Sequence, residues 1–240
     1  MIWLPSLLTG LNLFFGFWAI VQAIEGHFLT ACWFIVIASI CDGLDGKLAR
    51  LMNKSSEMGV ELDSLADTVS FGVAPGVLLY LTSFHKLAFM GIFLASLPLL
   101  FGVIRLARFN LSATIGEKKA FYVGLPIPIQ ANAIATFIIF NYAFWGDLQL
   151  EPLLIPLTIA LAILMVSHIP YEGMPRFSIK ETLKSPLRVI FILLAISLIA
   201  LKPPLAFFPL ISLYILRGLV LAIFGVTPAE EELDSELEIK

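Results

Sequence analysis

Residues 42–67 read DGLDGKLARLMNKSSEMGVELDSLAD, and the aspartates at 42, 45, 63 and 67 fall where two apolar runs meet. Asp42 and Asp45 are three residues apart, and Asp63 and Asp67 are four apart, so each pair shares one face of a helix. Eight residues separate Arg50 from Gly59, enough for a tight turn. The spacing predicts two antiparallel helices that present four carboxylates to each other. With the second helix starting near Gly59, Asp67 is expected about 12 Å along it, at depth in a bilayer or in a wet cavity.

The flanking sequence makes the bilayer reading necessary. The chain has 240 residues, of which 59% are hydrophobic and only 14% charged, with a mean hydropathy of +0.95. Soluble domains carry about 25% charged residues. This excludes an ordinary soluble protein, a disordered chain and a nucleic-acid binder. Apolar runs near the 20 residues of a transmembrane helix predict spans at 4–24, 28–48, 59–82, 87–108, 127–145, 151–169, 187–201 and 205–224. The expected fold is therefore an all-α polytopic bundle of about eight spans. Cys32 and Cys41 lie in apolar sequence and form neither a disulfide framework nor a zinc spacing.

Basic residues set the expected orientation. Lys47, Arg50, Lys54, Arg105, Arg108, Lys118, Lys119, Arg176, Lys180, Lys184 and Arg188 follow the even-numbered spans, whereas the alternate loops hold only Lys86 and Lys202. Both termini are expected on the cytoplasmic side, with the acids near that face. Residues 1–225 read as one membrane domain. Residues 226–240 read as an acidic, disordered cytoplasmic tail, with six acids between Glu230 and Glu238.

Four ionised carboxylates in a low dielectric repel strongly, so a cation is expected among them. Carboxylate oxygens suit Mg²⁺ or Mn²⁺, and two such ions can clamp the attacking and leaving oxygens of a phosphoryl transfer. Gly43, Gly46, Ala49 and Gly59 line the same region and allow either close helix packing or close approach of a phosphate.

Asp42, Asp45, Gly46, Ala49, Arg50, Gly59, Asp63 and Asp67 form D-x-x-D-G-x-x-A-R-x8-G-x3-D-x3-D. This resembles the signature of the CDP-alcohol phosphatidyltransferase family. LPSLLTGLNLFFGF at 4–17, LADTVSFGVAP at 65–75, RLARFN at 105–110, GLPIP at 124–128 and MVSHIPY at 165–171 are similar to the family's integral-membrane serine-using branch. The resemblance implies a dimeric bundle with a six-helix core, to which two C-terminal spans are added here. It implies two divalent ions on Asp42, Asp45, Asp63 and Asp67, with Asp67 as general base. Gly46, Ala49, Arg50 and Gly59 would contact the CDP-lipid, with pairing to an Asp that holds the helix turn as the alternative for Arg50. The expected reaction joins CDP-diacylglycerol, or a CDP-activated diether lipid, to L-serine.

Arg105, Arg108 and Asn110 are candidates for the acceptor or a phosphate, since a guanidinium matches carboxylate and phosphate alike. Their alternative is anchoring at a helix end. Thr9 and Asn12 share one side of the first span and either meet the nucleotide head or bond between helices. Two other readings stand beside this one. The first is a sister enzyme using glycerol-3-phosphate, inositol or inositol phosphate. The second is a divalent-cation transporter, which often shows repeated halves; here the acids within the apolar runs cluster in one place with no counterpart.

Overall fold

The computed structural model describes residues 3–51, 57–114, 122–171 and 201–224. The described chain is helical apart from one pair of two-residue strands. Helices α1 (Trp3–Ile24) and α2 (Phe28–Leu51) form an antiparallel pair, joined through Gly26. Aromatic rings zip them together: Phe34 stacks on Trp18 and Phe15, with centroids 4.5 Å and 5.8 Å away. The third apolar run begins as α3 (Glu57–Asp67), widens into a π-helical segment (Thr68–Val73) and continues as α4 (Ala74–Thr82). A 3₁₀ turn (Phe84–Leu87) leads to α5 (Ala88–Thr114). Then come β1 (Tyr122–Val123), α6 (Ile127–Trp145), a second 3₁₀ turn (Glu151–Leu153), α7 (Leu154–Val166), β2 (Pro170–Tyr171) and α8 (Pro203–Ile223).

Among the described residues, six helical stretches are long and apolar enough to cross a membrane: Ser6–Ile24, Phe28–Leu48, Met58–Thr82, Phe84–Leu111, Ile127–Trp145 and Pro203–Ile223. They correspond to the first five expected spans and the eighth. The sixth run is shorter than expected, since its helical part is Glu151–Val166, about 24 Å long against a hydrocarbon core of about 30 Å. Ser167 turns the chain into extended backbone, and Pro170–Tyr171 then pairs antiparallel with Tyr122–Val123. The seventh run, 187–201, lies outside the described residues except at its last position, and the 226–240 tail lies wholly outside them.

The π-helical widening has a local cause. Pro75 lacks the N–H that an α-turn would direct at Phe71, and its ring disfavours that carbonyl position. The chain instead closes an i→i+5 bond from Ala74 N–H to Val69 O. Such bulges recur at functional sites, and this one begins immediately after Asp67.

Small residues set how closely the helices approach. A methyl group on Gly16 of α1 would collide with the backbone and hydroxyl of Ser70, and one on Gly76 would meet the Ala95 carbonyl. Gly124 takes a positive φ of 83° with its Cα against the Met165 carbonyl, a position that any side chain would fill. Phe208 of α8 lies edge-on to Phe137 of α6, at 5.2 Å between centroids, and ties the last helix to the bundle.

Long-range bonds show which helix ends meet. The start of α1 bonds to the end of α2 and to α3, α5 bonds to α3, and Arg108 near the end of α5 bonds to the end of α7. At the opposite end of the bundle, Lys86 Nζ donates to both oxygens of Glu151 at 2.7 Å and 2.9 Å.

Candidate active site

The acids converge between α2 and α3. Oxygens of Asp42, Asp63 and Asp67 all lie within 4.8 Å of one another. Asp67 is buried, while Asp42 and Asp63 are half-buried. Asp63 Oδ1 is buried with no hydrogen-bond partner. Asp45, also buried, stands outside this trio; its Oδ2 accepts a hydrogen bond from Thr9 Oγ1 at 2.9 Å. The expectation of four facing carboxylates thus resolves into three that share a space and a fourth, one turn along α2 from Asp42, that is held from α1.

Helix α1 also reaches the trio directly. Asn12 Nδ2 donates to Asp67 Oδ1 at 3.1 Å, and Ser70 Oγ donates to the Asn12 carbonyl at 2.9 Å. Thr9 and Asn12 therefore bond between helices, and their partners are two of the site acids. Ser70 was not singled out from sequence; its signal is a hydroxyl residue three positions after Asp67, on the same helical face.

Electrostatics and donor chemistry agree. Three like-charged carboxylates at this separation are an unstable arrangement unless a cation lies among them: at an effective dielectric constant of 20, each ionised pair costs about 3 kcal/mol. The donors are all oxygens, which fits a hard divalent ion. An unpartnered buried oxygen on Asp63 fits the same group.

The neighbouring candidates divide. A Cβ added at Gly46 would meet nothing within 4 Å, so this glycine borders open space and is not a packing contact. Gly59 is half-buried near the start of α3. Ala49 and Arg50 belong to the last turn of α2, and their side chains lie outside the described residues. Asn110 Nδ2 donates to Ser64 Oγ at 3.0 Å, which ties α5 to the residue beside Asp63. Arg105 is buried. Arg108 Nη1 donates to the Val166 carbonyl at 2.9 Å and so caps the end of α7. One turn farther from the helix ends, Asn132 Nδ2 of α6 donates at 2.7 Å to Ser39 Oγ, three residues before Asp42.

The chain is similar to known proteins along most of its length. The sequence profile described as CDP-alcohol phosphatidyltransferase matches residues 2–169. A CDP-diacylglycerol–serine O-phosphatidyltransferase of Helicobacter pylori (strain J99) is 35% identical over 221 residues, covering 92% of this chain and 91% of the relative. An archaetidylserine synthase of Methanothermobacter thermautotrophicus is 36% identical over 170 residues, 70% of this chain and 69% of the relative. A CDP-diacylglycerol–serine O-phosphatidyltransferase of Bacillus subtilis is 35% identical over 170 residues, 70% of this chain and 89% of the relative.

Proposed function

The chain belongs to the CDP-alcohol phosphatidyltransferase family, and from that premise we propose that it is an integral-membrane phosphatidylserine synthase. It transfers the phosphatidyl group of CDP-diacylglycerol to the hydroxyl of L-serine and releases CMP. The observation that carries this reading is the similarity to serine-using relatives along nine-tenths of both chains, in a molecule whose intramembrane carboxylates converge.

Asp42, Asp45, Asp63 and Asp67 would hold two divalent ions, Mg²⁺ or Mn²⁺. When bound, these ions neutralise the diphosphate and the charge that develops on departing CMP. The remaining work falls to side chains. Asp67 takes the proton of the serine hydroxyl as that oxygen attacks the lipid-side phosphorus. The new bond joins the serine oxygen to that phosphorus. The bond from the same phosphorus to the bridging diphosphate oxygen breaks, and CMP leaves with the electron pair. Gly46, Ala49 and Gly59 leave room for the nucleotide, and the open space beside Gly46 supports that role. Arg50 contacts the CDP-lipid head.

Arg105, Arg108 and Asn110 bind the acceptor carboxylate or a phosphate. The bond from Asn110 to Ser64, beside Asp63, supports a pocket adjoining the acids. Replacing Arg108 with Ala raises the apparent KM for serine or CDP-lipid by about 10-fold or more, as expected for one charged hydrogen bond. Steady-state kinetics with each substrate varied in turn measure it, and unchanged constants would leave Arg108 only its cap on α7.

The basic residues at the acid end support a site near the cytoplasmic face, with both termini on that side. Acyl chains can then stay in lipid while the soluble acceptor arrives from the cytoplasm. The functional unit is a homodimer. Similarity to an archaetidylserine synthase keeps a CDP-activated diether lipid beside CDP-diacylglycerol as a candidate donor. The test is CMP release by purified protein in detergent, with CDP-diacylglycerol and either serine, glycerol-3-phosphate or inositol. Release with serine alone is expected; release with another alcohol and none with serine would replace the acceptor.

A further inference from the structure

We propose that Thr9 and Asn12 on α1 are positioning residues for the acid cluster, and that Asn12 sets the orientation of Asp67 through a closed bracket with Ser70. This inference rests on the proposed reaction site but not on which alcohol is the acceptor.

The bracket has three links. Asn12 Nδ2 donates to Asp67 Oδ1 at 3.1 Å. Ser70 Oγ donates to the Asn12 backbone carbonyl at 2.9 Å. Ser70 is joined to Asp67 through the first turn of the π-helical segment. All three residues are buried, and Asn12 and Ser70 have no measurable exposure at 0%. One turn along α1 from Asn12, Gly16 lets the helix backbone lie directly against Ser70. A bulkier residue there would push α1 away and open the bracket. The widened backbone after Asp67 brings Ser70 into this contact.

The consequence is chemical. A free aspartate samples several χ2 values, because that terminal torsion is broad. Asn12 holds Asp67 through Oδ1 and so restrains that torsion, while Asp67 contributes an oxygen to the space shared with Asp42 and Asp63. Thr9 likewise occupies one oxygen of Asp45, the acid that stands outside the trio. Three residues apart on α1, Thr9 and Asn12 thus fix one acid from α2 and one from α3 in register with each other. Hydrogen-bonding partners behind ligating carboxylates commonly change metal affinity or activity by about 10- to 100-fold when removed.

Asn12→Leu keeps the approximate volume and removes the donor. Ser70→Ala keeps Asn12 and removes its backbone anchor. Each full-length variant is purified in detergent beside wild type. Mn²⁺ binding is read directly from the spectroscopic signal of free Mn²⁺, without substrate, and kcat and KM from CMP release. Asn12→Leu is expected to weaken Mn²⁺ binding and lower kcat by about 10- to 100-fold, with KM for serine within about twofold. Ser70→Ala moves the same quantities in the same direction, by less. In an Asp67→Asn background, Asn12→Leu adds no further loss of Mn²⁺ binding, because the two residues act as one unit. Wild-type Mn²⁺ affinity in folded Asn12→Leu, or an additive loss in the double variant, overturns the proposal. If Asn12→Leu does not fold, Ser70→Ala decides: unchanged Mn²⁺ affinity there overturns it as well. Wild-type protein that binds Mn²⁺ but does not use serine would fault the acceptor, and the Mn²⁺ comparison among variants would still decide the bracket.

Discussion

Asp67→Asn lowers serine-dependent CMP release by about 10²- to 10⁴-fold, the range for loss of a positioned general base. The substitution keeps the shape of the side chain. Its carbonyl oxygen can still accept the hydrogen bond from Asn12 Nδ2, now made to Asp67 Oδ1 at 3.1 Å. Where Asp67 gives the trio a charged acceptor oxygen, the variant offers an uncharged amide. An amide cannot take the serine proton, and it is a poor ligand for a hard cation. The fold should survive, because the packing around Ala66, Ser70 and Phe71 is untouched. The check is kcat in detergent, with melting temperature as the control for folding. Activity within about tenfold of wild type would remove Asp67 from the base role.

Asp42→Asn reverses the usual relation between a lost contact and stability. Oxygens of Asp42, Asp63 and Asp67 lie within 4.8 Å of one another, and each ionised pair costs about 3 kcal/mol at an effective dielectric constant of 20. Removing the charge of Asp42 relieves two of those pairs in protein stripped of divalent ions. The metal-free variant is therefore expected to melt at a higher temperature than metal-free wild type, while its transferase activity is lost. Adding Mg²⁺ or Mn²⁺ should raise the melting temperature of wild type more than that of the variant, since only wild type has the full ligand set. The measurement is a thermal melt in detergent with EDTA and then with each ion. A variant less stable than wild type in EDTA would mean that the trio is held by something other than a cation.

Much of the site is legible from residues 42–67, because helical periodicity turns sequence separation into spatial proximity. Pairs three and four apart must share a face, and a short polar turn between apolar runs must bring the two faces together. What this arithmetic does not give is the third helix. Thr9 and Asn12 stand out as polar residues in an apolar run, but nothing in their spacing says which acid each will meet. The packing of α1 decides it, through Gly16 against Ser70. The π-helical segment is hidden for a related reason: Thr68–Val73 keeps an apolar character compatible with a plain span, and only Pro75 hints at altered backbone bonding.

The basic residues illustrate a different limit. Arg105 and Arg108 are near a helix end by sequence, and both anchoring and ligand binding fit that place. The structure adds the bond from Arg108 to the Val166 carbonyl, and it buries Arg105 in the bundle. Hydropathy likewise finds the sixth apolar run but not where its helix stops. The strand pairing of Tyr122–Val123 with Pro170–Tyr171 sets that boundary, and it joins residues far apart in the chain.

The most direct test is transfer of radiolabelled L-serine into chloroform-soluble lipid by purified full-length protein. The assay contains CDP-diacylglycerol and Mn²⁺ or Mg²⁺. Labelled phosphatidylserine should form in proportion to CMP, stop on addition of EDTA and resume when the ion is restored in excess. Folded protein that binds the divalent ion yet leaves all label in the aqueous phase would contradict serine transfer at this acid cluster.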